Sequence, residues 1–152
     1  YIEKHHFKII TLKLFDVYGP DDPRPKLFFQ INKAILNREV LDMTFGMQMI
    51  NIVHIEDVIS SYIVSINRLL QDQGKPYEEF NVKVPLDIRL KDLVNEYLSI
   101  SGLKIKINWG AIPYKDREIM SPYDQGKILP GWFPKIDLKD GLKMLKKENH
   151  DT

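Results

Sequence analysis

The sequence contains no cysteine. That excludes a disulfide framework, a thiol nucleophile and a thiolate metal site, and it fits a reducing, cytoplasmic compartment. No apolar run approaches the ~18 residues of a membrane-spanning helix. Neither sign of charge is in excess: 22 Lys and Arg stand against 21 Asp and Glu. No long-range basic field therefore points to nucleic acid, and no block of like charge marks a tail. What is present is an ordinary globular composition, 43% hydrophobic and 28% charged over 152 residues. That is a one-domain length, long enough to bury a core. The chain opens without Met, on YIEKHHF, and is expected to be a piece of a longer protein with no secretory leader.

Apolar periodicity predicts alternating strands and helices. KIITLKLF, residues 8–15, reads as one buried strand, and YGPDDPRP after it is punctuation, with Gly19, Pro20, Pro23 and Pro25 opposing regular structure. A helix is predicted over about 26–37 through Leu27, Phe28, Ile31, Ile35 and Leu36. Next come a short strand, a turn at Gly46 and a strand through Ile50 to Val53. IEDVISSYIVSINRLLQ holds an i, i+3, i+4 stripe for four turns, with Glu56 and Asp57 in the first turn, where the helix dipole favours anions. EEFNVKV is a short strand. RLKDLVNEYLSISG is a third helix, with Gly102 as its stop. LKIKINW alternates as a half-exposed strand. Residues 110–136, with four prolines, read as loop, and Asp137 is placed to cap a last helix through Leu138, Leu142 and Leu145. Strands alternating with helices give an α/β fold.

Two loops could carry chemistry. In open α/β sheets ligands bind beyond the carboxyl ends of the strands, and DVYGPDDPRPKL occupies that position after the first strand. Arg24 and Lys26 at a helix start would suit a phosphate; the plainer alternative is a solvated, proline-stiffened loop. NWGAIPYKDREIM places Lys115 and Arg117 after another strand, and an Arg fork can hold a phosphate bidentately, although two cations in a loop are unremarkable. The four histidines show no metal-ligand spacing, so no metal is expected, and no nucleophile elbow is present. Trp109 and Trp132 read as core or loop anchors.

LKLFDVYGP, IVHIEDV, FNV, IRLKDLV and PGWFPKIDLKDGL, in that order, resemble the C-terminal half of the extended short-chain dehydrogenase/reductase family, the NAD-dependent nucleotide-sugar epimerases, dehydratases and reductases. The resemblance runs from about residue 8 to 146. INWG, PY with REIM, and LPGWFPK are similar to the reductases of CDP-linked 4-keto-6-deoxy sugars, the CDP-abequose and CDP-paratose synthases. The resemblance implies an α/β chain forming the C-terminal part of a Rossmann-type fold without its dinucleotide-binding half. Residues 1–152 would be one domain, with 1–25 closing the Rossmann half and 26–152 binding the nucleotide sugar. It implies a backbone at Leu14 and Phe15 near the nicotinamide, and substrate contacts at Asp16, Arg24, Lys26, Leu27, Phe28, Asn51 and Arg117. Two departures stand out. Asp16 replaces the family's usual Asn, and Ile50–Asn51 replaces an Arg–Asp pair, so one diphosphate-binding Arg is missing.

The family's G-x-x-G-x-x-G turn is absent from the eight scattered glycines. Its catalytic Y-x-x-x-K is matched only by Tyr123 and Lys127, where Pro122, Gly126 and Pro130 oppose a helix. In relatives the true pair would lie upstream, in the helix whose tail YIEKHH preserves. The expectation is therefore the substrate-binding portion of an NAD(P)-dependent nucleotide-sugar reductase or epimerase, inactive by itself. NAD or NADP would serve the full-length parent and no cofactor would bind this chain alone. The expected partners are a nucleotide-diphosphate sugar and, by self-association or pairing, the missing half, with no nucleic acid and no membrane. A stand-alone, non-catalytic nucleotide- or protein-binding module is the alternative.

Overall fold

The structure, a computed structural model, describes residues 7–123 and 125–145. The helix tail expected in YIEKHH lies outside the described residues. The elements run β1 (Ile9–Leu14), β2 (Asp16–Tyr18), α1 (Leu27–Leu36), β3 (Leu41–Met43), β4 (Met49–Ile50), β5 (Ile52–His54), α2 (Ile55–Leu70), β6 (Tyr77–Val82), β7 (Ile88–Arg89), α3 (Leu90–Ser101), β8 (Ile107–Trp109) and α4 (Leu138–Met144). They form two compact units, each assembled from three separated stretches of chain.

The first unit comprises the described residues up to Tyr18, with Asn51–Leu86 and Tyr123–Asp137. β1 pairs parallel with β6, Ile9 opposite Tyr77 through Leu14 opposite Val82, and β2 pairs parallel with β5. Parallel neighbours need a crossover, and α2 supplies it for the step from β5 to β6. The core is Val53, Val58, Phe80, Val82, Leu129 and Trp132, with Ile10 and Leu12 of β1 packed against it. Alternation explains the choice: Ile10 and Leu12 share one face of β1 while Thr11 and Lys13 take the other. Burial of each large apolar side chain contributes about 1.5–3 kcal/mol.

The second unit comprises Gly19–Ile50, Asp87–Pro122 and the residues from Leu138 onward. β3 runs parallel to β8 and β4 antiparallel to β7. Ile31 and Ala34 of α1, Leu93, Val94 and Tyr97 of α3 and Leu142 of α4 are buried. The Tyr97 hydroxyl donates to Asn32 Oδ1 at 2.8 Å, which ties α3 to α1. Gly102 ends α3 in the left-handed region, φ +72°, as expected. Gly46 turns the chain at φ +69°, where an added Cβ would stand 2.6 Å from Cζ3 of Trp109.

The structure revises four sequence expectations. The strand predicted over 8–15 is β1, but a further, unpredicted strand follows it: Asp16–Tyr18 pairs with a different neighbour, β5. The strand predicted through Ile50–Val53 is divided at Asn51, antiparallel to β7 before it and parallel to β2 after it. A change of partner leaves no mark on apolar alternation. The strand predicted over 103–109 is reduced to Ile107–Trp109. The stripe read on α2, Ile55, Val58, Ile59, Tyr62, Ile63, Ile66, Leu69 and Leu70, is only partly the buried face: Val58 is buried with Asp57, Ser61 and Ser65, while Ile59, Tyr62, Ile63, Ile66 and Leu70 stand 49–78% exposed.

Candidate functional site

In the first unit the strand ends carry four of the nine nominated residues. Leu14 is exposed at the end of β1, and Phe15, half-buried, lies with its ring 5.9 Å from Lys83 Nζ. Asp16 opens β2 with an exposed side chain, and its backbone N–H donates to Asn51 O at 3.0 Å. Asn51 is 1% exposed. Its Nδ2 donates to Val84 O and its Oδ1 accepts from Val84 N, both at 2.9 Å. Both ends of that amide are thus committed to the backbone beyond β6, and they hold the point where the chain leaves β4 for β5.

The second unit carries the other five. Arg24 is held by Asp22, Nε to Oδ1 and Nη2 to Oδ2 each at 2.7 Å. That fork is the geometry an arginine offers a phosphate, and here it is already filled by a carboxylate. The guanidinium in turn holds the Asp22 carboxyl below its ordinary range. Lys26 is the N-cap residue of α1 and makes no side-chain capping bond; its backbone N–H donates to Arg24 O at 2.7 Å. Leu27 and Phe28 open α1, with the Phe28 ring 4.8 Å from that of Tyr97. Arg117 is exposed and forms no ion pair among the described residues. Its loop is pinned at both ends to one short segment: the Tyr114 hydroxyl accepts from Met47 N at 2.9 Å, and Met120 O accepts from Met49 N at 2.9 Å. An uncommitted arginine on a loop so tethered can meet an anion without first breaking a bond.

Sequence reading passed over the residues that hold the strand ends in place. Asp57, 3% exposed, accepts from Lys135 N (2.9 Å) and Ile136 N (3.0 Å). Trp132 Nε1 donates to Asp57 O at 3.1 Å and to Ser60 Oγ at 2.8 Å. The first turn of α2 therefore clamps the WFPKI segment. The acid in that turn was visible in the sequence; partners some 75–79 residues away were not. His54 is 1% exposed and caps α2, its Nδ1 accepting from Glu56 N at 3.3 Å. It meets Tyr18 edge to face at 5.2 Å. Burial lowers the His54 pKa, against the opposing pull of Glu56 and Asp57. Burial first, then Asp57 and Asp137, pushes the Tyr18 phenol well above its ordinary value. Both rings are therefore neutral near pH 7. Tyr123 and Lys127 lie on exposed, non-helical backbone.

No family model matches the chain. It is 28% identical over 148 residues to a CDP-abequose synthase of Salmonella muenchen, covering 95% of this chain and 50% of that protein. Its fold superposes on a UDP-glucuronic acid 4-epimerase of Bacillus cereus solved with UDP-glucuronic acid and NAD, at TM-score 0.77 and 22% identity over 97% of this chain and 46% of that one. It also superposes on a dTDP-glucose 4,6-dehydratase of Streptomyces venezuelae, at TM-score 0.79 and 16% identity over 97% and 45%. The chain is similar in sequence to nucleotide-sugar synthases and in fold to nucleotide-sugar epimerases and dehydratases. It has the fold of the C-terminal part of those proteins and spans about half the length of the curated relatives it matches. The structure gives the ordered motifs physical roles. LFDVYGP crosses from β1 to β2, IVHIEDV caps and opens α2, FNV ends β6, and PGWFPKIDL is the segment that Asp57 clamps. Among the described residues no helix is long and apolar enough to cross a membrane.

Proposed function

We propose that this chain is the substrate-binding portion of an NAD(P)-dependent nucleotide-sugar reductase or epimerase whose substrate is a CDP-4-keto-6-deoxyhexose or a close analogue. Residues 1–25 close the cofactor-binding half, and 26–152 form the region that takes the nucleotide sugar. The observation that carries the reading is the similarity to a CDP-abequose synthase over 95% of the chain. Arg117, exposed and without an ion pair among the described residues, supports it as the diphosphate ligand. Lys26 adds a second cation at the start of α1, where free backbone N–H groups already favour an anion. Leu27 and Phe28 lie against the base, and Asp16 bonds a sugar hydroxyl rather than a phosphate, since a carboxylate repels one. Asn51 acts through the backbone it fastens. Leu14 and Phe15 border the nicotinamide of a cofactor bound by polypeptide beyond these residues. A binding module without catalysis is the second reading, and the filled fork of Arg24 favours it, because one of the two arginines nominated for the site is already neutralised.

The test is CDP affinity by titration calorimetry. Arg117→Ala should weaken binding about tenfold or more, since a hydrogen bond to a charged group contributes ~1.5–3 kcal/mol. Unchanged affinity removes Arg117 from the site, and no binding by the unaltered chain in the presence of its cofactor-binding half removes the reading.

A further inference from the structure

The second unit carries a cleft of about 270 Å³ that the proposed function leaves unused. It lies at the amino ends of two parallel strands: residues 38–40 lead into β3 and residues 104–106 into β8. Arg117 follows the opposite end of β8, so roughly 10 Å of strand stands between the two places. Ile35, Val40 and Ile105 give the cleft apolar walls, and Arg38, Lys104 and Lys106 give it three cations. All three cations are exposed and form no ion pair among the described residues. Glu39 is the one acid in the lining.

A cation just past a helix often serves the last carbonyls. Here backbone N–H groups serve them: Asn37 N donates to Lys33 O at 3.0 Å, Glu39 N to Ala34 O at 2.9 Å and Arg38 N to Ile35 O at 3.1 Å. The dipole of α1 places about half a negative charge at that end, and together with Glu39 it leaves positive charge in excess. The cleft is also held in shape. Leu41 N donates to Lys106 O at 3.0 Å, which joins the two stretches that bear the cations. Arg38 sits at φ +55°, in the left-handed conformation that the residue after a helix usually gives to Gly. An arginine there accepts backbone strain, and such strain clusters at ligand clamps.

We propose that this cleft binds a small organic phosphate, with the doubly charged head on the three cations and an apolar body against Ile35, Val40 and Ile105. The guanidinium fork suits a phosphate bidentately, and the lysines add compact point charges. A volume of about 270 Å³ falls just under the usual range of small-molecule pockets, roughly 300–1,000 Å³, so the body is no larger than a single ring. This site is separate from the one proposed for the nucleotide sugar and does not depend on it.

The probe is phenyl phosphate, titrated into the chain by calorimetry at low salt and above the second phosphate pKa of about 6. Saturable binding is expected. Lys104→Gln with Lys106→Gln, both exposed positions, should weaken it about tenfold or more through the loss of two charge-assisted bonds, while Arg117→Ala should leave it unchanged. No binding by the unaltered chain, or equal affinity in the lysine variant, overturns the proposal. Loss of binding in Arg117→Ala also overturns it, because the ligand is then in the other site. Inorganic phosphate should bind much more weakly than phenyl phosphate; equal affinity would reduce the cleft to a patch of surface charge and overturn the assignment.

Discussion

The residues nominated for ligand contact differ less in kind than in what already holds them. Arg24 and Arg117 are equivalent as sequence, two arginines in proline-flanked loops. Asp22 fills the fork of the first, and the second forms no ion pair among the described residues. Asp22→Asn should therefore release Arg24 and tighten CDP binding by up to about fivefold, the scale of an exposed ion pair worth ~0.2–1 kcal/mol. Calorimetry of the variant checks this, and no gain in affinity would place Arg24 outside the site. His54 carries a different consequence. Its Nδ1 can accept from Glu56 N only while unprotonated, and burial lowers its pKa. The unfolded chain then takes up the proton first, near the ordinary histidine value of about 6.5. The contribution of His54 is present in full above that pH and is lost as pH falls towards the folded pKa. Thermal midpoints should accordingly fall between pH 7 and 5. His54→Asn, which retains a capping oxygen, should flatten that decline; an unaltered pH profile would assign it to other groups.

At the scale of elements, the helices and the strands at β1, β3 and β6 were legible, and the points where strands change partner were not. α1, α2 and α3 lie within a residue or two of their predicted limits, because a 3.6-residue period and a left-handed glycine at 102 are local properties. The predicted strand at 50–53 is divided at Asn51, and the strand Asp16–Tyr18 was not predicted at all, because pairing partners come from distant chain and alternation does not name them. Asp57 illustrates the same limit. The sequence shows an acid in the first turn of a helix, a favourable but modest placement; the fold makes it the buried acceptor for two backbone donors of the WFPKI segment. Asp57→Ala leaves both N–H groups without their acceptor, at about 1–3 kcal/mol each. A loss of ~3 kcal/mol or more is expected in the urea denaturation midpoint, with Trp132 fluorescence reporting release of its segment. A loss below ~1 kcal/mol would show that water replaces the carboxylate.

For the whole molecule, these residues hold neither a Gly-rich turn nor a helical Tyr-x-x-x-Lys pair. The chain by itself should not oxidise NADH or NADPH against any nucleotide sugar, as read by cofactor absorbance; measurable turnover would displace the proposed division of labour. The sequence by itself determined the alternation of strand and helix, the resemblance carried by five ordered motifs, and the presence of residue types able to grip a diphosphate, because each of these is written in local pattern and order. Only the tertiary structure decided which arginine is already occupied, where strands change partners, which buried acid clamps a distant loop, and that the broadest apolar face of α2 looks outward. Those outcomes depend on groups brought together from positions far apart in the chain, and no spacing within a segment records which side of it will meet them.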